Sequence, residues 1–252
     1  MRRFSGHLQD PWGSFVDVKV NLLEVLAKEL PRRSPGSVWL SSVCDPYQQV
    51  EAKYKLTRGA LELIASYGSF SVSILTKNAL ILRDLDMLTR LKDRLDIGFT
   101  ITSFNPNAQR FFEPNASPLK DRMDALRRLN SEGFDTWVFI APMLPYVTED
   151  ALEEGLRDLA KTGVKKLMTD RYNSRGMIIN QTIRAYTAWD PTIDLQDIRR
   201  LLWKGDEYYD MLDDKISQIW NTKATNAIHE RDMDWYLSHK AGSKSYSTPH
   251  GD

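Results

Sequence analysis

The chain has 252 residues, 42% of them apolar and 27% charged, which is the composition of a globular protein large enough for one barrel-sized domain. Lysine plus arginine equals aspartate plus glutamate, 34 each, so net charge gives no support for broad electrostatic binding to nucleic acid and leaves only a local basic groove open. Cys44 is the single cysteine, which excludes an intramolecular disulfide and any multi-cysteine metal site built from this chain alone.

Short apolar, β-branched runs alternate with longer amphipathic ones. The first predicted strand is Ser37–Val43, followed by a helix over Val50–Tyr67 that puts Leu56, Ala60, Leu63 and Ile64 on one face. A strand at Phe70–Thr76 and a helix at Leu82–Leu95 come next, then a strand at Ile97–Thr102 and a helix at Pro118–Leu129. Thr136–Ala141 and Val164–Met168 read as strands on either side of a helix at Thr148–Thr162. Gly68, Gly133 and Gly163 each stand between a helix and the next strand, where a left-handed residue closes the helix. The strands are apolar on both faces, as buried parallel strands are. Repeated βα units form a parallel sheet, either doubly wound or closed toward a barrel, and the pattern alone does not separate the two. After Arg171 only helical patterns follow, at Met177–Trp189, Leu195–Trp220 and Ala224–Leu237, and the polar tail Ser238–Asp252 reads as disordered. No run approaches the length of a membrane span, and no apolar segment follows the basic start, so a cytoplasmic protein with no membrane partner is expected.

Nucleotide, zinc-protease and serine-hydrolase motifs are absent: there is no GxGxxG, Walker loop, HExxH or GxSxG, and the four histidines are scattered. Chemistry in parallel α/β folds sits at the C-terminal ends of the strands. Those ends supply Cys44, Asp45 and Glu51 after the first strand, Lys77 after the second, Thr100 and Thr102 on the third, and Asp170 and Arg171 on the fifth. Such a rim suits a small ligand with a carboxylate and an ammonium group: Lys77 could pair with the carboxylate, while Asp45 or Glu51 accepts from an amine or ribose hydroxyl. Plainer roles stand beside these. Asp45-Pro46 is a good turn, Lys77 a solvated strand-end charge, Asp170-Arg171 a local ion pair, Thr100 and Thr102 ordinary strand residues, and Arg122 a solvated helix residue.

Several blocks in joint order resemble radical S-adenosylmethionine (SAM) proteins of the spore-photoproduct-lyase-like group. They are Arg3-Phe4-Ser5-Gly6-His7, Pro11-Trp12-Gly13, Val18-Lys19-Val20-Asn21, Asp45-Pro46-Tyr47-Gln48, Glu51 to Arg58, Thr76-Lys77, Arg83-Asp84-Leu85-Asp86, Gly98 to Thr102, Phe112-Glu113-Pro114, Ser117-Pro118 with Arg122, Pro142-Met143-Leu144-Pro145, and Asp170-Arg171-Tyr172-Asn173. The resemblance covers residues 1–175. It implies a partial (β/α)6 TIM-like barrel lacking its first βα unit, open beside the Ser37–Val43 strand, with a helical extension over 176–237. It also implies SAM as cofactor. The family's 4Fe-4S cluster would be held by a CxxxCxxC loop whose cysteines are absent here, and in the family electron transfer cleaves SAM to a radical that abstracts hydrogen. By position, Lys77 and Arg122 would lie near the methionyl carboxylate, Thr100 and Thr102 in the hydroxyl-bearing strand region, and Asp45 in the loop after the family's second strand.

Three departures stand out: the cluster cysteines are missing, Cys44 replaces a usual threonine, and Tyr146 follows Pro145 where relatives usually have glycine. Cys44 is then either a small apolar residue ending a buried strand or a rim thiol able to give a hydrogen atom to a substrate radical. A radical SAM enzyme acting on an unread substrate, nucleic acid among the options, competes with a cluster-less binding module that keeps the SAM pocket. An unrelated α/β barrel enzyme for a phosphate or sugar is the third expectation.

Overall fold

A computed structural model describes residues 13–41, 43–173 and 178–224, together with Gly6, His7 and Asp10. Five strands form one parallel sheet in sequential order: β1 Gly36–Leu40, β2 Phe70–Thr76, β3 Leu95–Thr100, β4 Thr136–Met143 and β5 Lys166–Arg171. The architecture is α/β, an open parallel sheet compatible with a partial barrel, and β1 forms one edge of it.

Register divides the strand residues between two faces. Val72 and Ile74, Ile97 and Phe99, and Val138 and Ile140 share one face and are buried. They belong to a single core with Leu61 and Ile64 of helix α3 (Leu56–Ser66), Leu126 and Leu129 of α6 (Leu119–Ser131), and Leu156 and Leu159 of α7 (Leu152–Ala160). The other face carries Trp39, Ser73, Leu75, Gly98, Thr100, Trp137, Phe139 and Met168. Strand alternation sets Lys77 and Asp170 on that same face. Gly98 is required there: a Cβ at this position would lie 2.4 Å from the Trp137 ring, which crosses over it and donates Nε1 to Asp96 at 2.9 Å.

Several helices depart from the sequence pattern for local reasons. The run predicted as Val50–Tyr67 breaks at Lys55, whose φ is +52°, into α2 (Glu51–Tyr54) and α3. Glu51 explains the break, because its carboxylate folds forward to accept the Leu56 N–H at 2.9 Å and so caps α3 from within the preceding turn. The predicted Leu82–Leu95 helix is a 3₁₀ segment at Ala79–Asp84, then α4 (Leu85–Arg90), then another 3₁₀ turn at Lys92–Arg94. Two helices lack an expectation in the sequence reading: α1 (Leu22–Glu29) and α5 (Pro106–Phe112), the latter capped by the Asn105 side chain on Asn107 and Ala108 N–H. Gly133 and Gly163 adopt left-handed φ values of +77° and +87°, as expected of helix ends, whereas Gly68 does not.

The helices after the sheet are α8 (Ile178–Trp189), α9 (Leu195–Lys204) and α10 (Asp206–Ala224). The single helix expected at Leu195–Trp220 is divided at Gly205. Tyr209, Leu212, Ile216 and Trp220 of α10 join the common core. Most of the expected Ala224–Leu237 helix, and all of the tail from Ser238, lie outside the described residues. Among the described residues, no helix is long and apolar enough to cross a membrane.

The close approach of Trp137 to Gly98 gives a direct test. Gly98→Ala should destabilise the protein by about 1–3 kcal/mol through overpacking, read as a lower midpoint in urea unfolding; an unchanged midpoint would show that the ring yields freely.

Candidate functional site

The ends of β2 and β3 meet in a buried ion triad. Glu113, just after α5, forms ion pairs through Oε1 with the Lys77 ammonium at 2.6 Å and through Oε2 with the Arg122 guanidinium at 2.7 Å. The Thr102 hydroxyl donates to Oε1 at 2.5 Å. Arg122 is 0% exposed, and it also donates Nη1 to the Thr100 carbonyl at 2.9 Å and Nε to the Ser117 carbonyl at 2.8 Å. Burial alone would raise the Glu113 pKa. The Lys77 and Arg122 charges and the bonds from Lys77 and Thr102 overcome that and hold the carboxyl below its ordinary value.

One carboxylate facing two cations leaves a net positive charge of one. Arg122 is enclosed, so the surplus reaches solvent through Lys77, whose side chain is 33% exposed. The arrangement can hold an anionic group at the strand ends with Lys77 as the reaching arm.

Asp45 acts as a clamp. Its Oδ1 accepts the Tyr47 N–H at 2.8 Å and the Thr76 hydroxyl at 2.6 Å, and its Oδ2 accepts the Lys77 backbone N–H at 2.6 Å. The turn role read from Asp45-Pro46 is thus realised, and the same carboxylate fixes the backbone from which Lys77 extends. Behind it, Arg83 donates to Glu51 Oε1 at 3.0 Å and to the Glu51 carbonyl at 2.7 Å, and grips Asp84 with Nε and Nη2 at 2.8 and 2.6 Å. Arg58 bridges the buried Asp84 to Asp86. Its hydrogen bonds lower the Asp86 pKa to about 2.

The loop after β4 is stitched to the same corner. The Thr148 hydroxyl donates to the Thr102 carbonyl at 2.8 Å and accepts the Leu144 N–H at 2.8 Å, while the Ser103 hydroxyl donates to the Val147 carbonyl at 2.8 Å. On the outer side, the buried Tyr186 hydroxyl of α8 donates to the Pro145 carbonyl at 2.7 Å. Tyr146 has φ +63°, a left-handed conformation that costs a non-glycine residue about 1–3 kcal/mol.

The predicted residues are therefore not one cluster. Lys77, Thr102 and Arg122 are joined through Glu113, Thr100 contributes its carbonyl, and Asp45 underlies Lys77. Asp170 is exposed on β5, three strand intervals from β2, or roughly 14 Å along the sheet. Its carboxyl pKa is raised by partial burial, with nearby Asp213 adding to the effect and Arg171 opposing it. Arg171 turns to Asp206 and Asp210 of α10, which replaces the local Asp170-Arg171 ion pair expected from sequence. Arg122 is buried, which overturns its reading as a solvated helix residue. Glu113, the hub, was legible only as part of the Phe112-Glu113-Pro114 block. Cys44 is exposed, with Sγ 3.0 Å from Ser41 Oγ, in the loop after β1, which ends at Leu40 and not at Val43. The reading of Cys44 as a buried strand end is overturned.

The fold has counterparts among known proteins. The fold is similar to spore photoproduct lyase complexed with dinucleoside spore photoproduct, with a TM-score of 0.62 and 19% identity over 88% of this chain and 68% of that one. A mutant of the same lyase with bound AdoMet and dinucleoside spore photoproduct aligns with a TM-score of 0.56 and 20% identity over 81% and 65%. The chain thus shares the fold of spore photoproduct lyase. In sequence it is 36% identical over 134 residues to an uncharacterized protein of Methanocaldococcus jannaschii, covering 53% of this chain and 49% of that protein. It is 29% identical over 238 residues to an uncharacterized protein of Acidianus two-tailed virus, covering 92% and 72%. An uncharacterized protein of Mycobacterium tuberculosis is 29% identical over 167 residues, covering 64% and 49%. The chain spans about half the length of the Methanocaldococcus and Mycobacterium proteins. No family model matches.

Two outcomes follow from the site. Because the folded-state pKa of Glu113 is depressed, its stabilisation is present above the ordinary glutamate value of 4.5 and is lost as pH falls through the lower folded value. Glu113→Gln should therefore be less stable than wild type at pH 7, by about 3–5 kcal/mol because Arg122 loses its partner, with the gap narrowing below about pH 4; urea titrations across that range measure it, and a constant gap would remove Glu113 from the account. The exposed Cys44 thiol should react stoichiometrically with Ellman's reagent in the native protein, with no added reactivity on denaturation.

Proposed function

We propose that the chain is a radical SAM-type protein whose sheet mouth takes S-adenosylmethionine with its methionyl carboxylate on Lys77. The observation that carries this reading is the unbalanced triad, in which one carboxylate serves two cations and only Lys77 reaches outward. Arg122 acts on the ligand through Glu113 and the strand end and does not touch it. The sheet face that carries Lys77 also carries Thr100 and Asp170, whose polar groups would take the nucleoside part. The likeness to a lyase structure with bound AdoMet supports the choice of ligand.

The 4Fe-4S cluster fits less well. The chain has one cysteine, and no group of three potential metal ligands occurs among the described residues. Three thiolates are the usual requirement for such a site, and the described residues do not supply them. The residues of this chain support binding, as in the module that keeps the SAM pocket without the chemistry. A nucleic-acid substrate rests on the likeness to the dinucleoside complex alone.

Titration calorimetry with S-adenosylmethionine and with 5′-methylthioadenosine, which lacks the amino-acid arm, tests the reading. Lys77→Ala should weaken the first by about 10- to 150-fold, the equivalent of one charge-assisted hydrogen bond, and leave the second unchanged. Equal loss for both ligands, or no binding of S-adenosylmethionine by the wild type, would overturn it. Incubation with iron and sulfide should yield no stable four-iron cluster on the chain alone; about four irons per chain, with the matching charge-transfer absorption, would refute that expectation.

A further inference from the structure

The triad connects outward to the C-terminal helices. Tyr146 sits in the strained left-handed conformation although its side chain is half exposed, so something must hold it there. Its hydroxyl donates to Asp197 Oδ2 on α9 at 2.6 Å, and its backbone N–H donates to the Tyr208 hydroxyl on α10 at 3.2 Å. The Asp197 side chain is itself 23% exposed and also takes Arg200. Exposed bonds of this kind add little to stability, so their effect lies in where they put the loop.

The inner side of that loop governs Thr102. Thr148 holds the Thr102 carbonyl, and Val147 takes the neighbouring Ser103 hydroxyl. The Thr102 hydroxyl lies 2.5 Å from Glu113 Oε1 and 3.1 Å from the Ala141 carbonyl. One hydroxyl proton serves one strong bond, and the charged acceptor takes it. Glu113 Oε1 is the atom that also holds the Lys77 ammonium. A shift of residues 144–148 therefore moves Thr102, and with it the carboxylate that aims Lys77.

We propose that Tyr146 is a positioning residue for the Lys77 site, fastening the loop after β4 to Asp197 so that the loop keeps Thr102 seated on Glu113. The proposal rests on the reading of Lys77 as the carboxylate-binding arm. Its structural half stands apart from that reading and is measured without ligand. Hydrogen exchange by mass spectrometry on the full chain should show Tyr146→Phe and Asp197→Ala each speeding exchange at residues 100–104 by about tenfold, as well as at 144–148. Because both substitutions break the Tyr146–Asp197 bond, and Asp197→Ala also frees Arg200, the double variant should be no faster than Asp197→Ala alone.

With S-adenosylmethionine as the probe, Tyr146→Phe should weaken binding about fivefold and leave 5′-methylthioadenosine unchanged, which a merely structural loss would not do. Faster exchange confined to 144–148, or additive effects in the double variant, would overturn the proposal. So would unaltered affinity in Tyr146→Phe when the wild type binds. Should the wild type fail to bind S-adenosylmethionine, the carboxylate reading falls, while the exchange data still decide whether Tyr146 controls Thr102.

Discussion

The Arg122–Glu113 pair is the interaction on which the mouth of this fold depends. A fully enclosed guanidinium is tolerable only when its charge is paired. Here Glu113 pairs the charge and two backbone carbonyls accept from Nη1 and Nε, the partners coming from the end of β3 and the loop before α6. The pair thereby fixes the end of β3, the loop before α6 and the first turns of α6 at once. Lys77 is added to a frame that is already rigid, which lets a flexible side chain present a charge in one place.

A second charged network does the same for the neighbouring corner. Asp45 ties the loop after β1 to the end of β2. Arg83 and Arg58 then tie that loop's helices to the segment that follows β2. Buried Asp84 is gripped from two directions, so the network locks relative orientation more than it adds net stability. The two networks meet at Lys77, one holding its backbone and the other its ammonium.

Sequence periodicity located all five strands, with β2 placed end to end, because buried parallel strands leave short apolar runs between glycine and polar punctuation. It misplaced the ends of β1 and β5, where the apolar signal continues into a loop or yields to polar residues that still pair, set β3 two residues late and ended β4 two residues early. The Lys55 break escaped notice because the capping carboxylate comes from the preceding turn and leaves the hydrophobic spacing intact. Helix α5 escaped because it is only seven residues long and its apolar contacts are concentrated in Phe111 and Phe112, which pack on Trp189 and Tyr186. Within the site, Lys77 and Asp45 were legible from their places at strand ends. Glu113 was not, since a carboxylate in a loop between two helices shows no local sign of the two cations that converge on it. The burial of Arg122 was hidden because two of its partners are backbone carbonyls, which no side-chain pattern marks.

The sequential strand order carries a consequence for how the molecule is assembled. Each strand pairs only with its immediate predecessor and successor in sequence, so no pairing has to wait for a distant part of the chain to arrive. Loop closure costs stay modest at every step. The sheet can therefore grow one neighbour at a time from any adjacent pair. The C-terminal helices, which reach back from the far end of the chain to the loop after β4, supply the long-range closure that turns a growing ribbon of strands into a single cooperative unit.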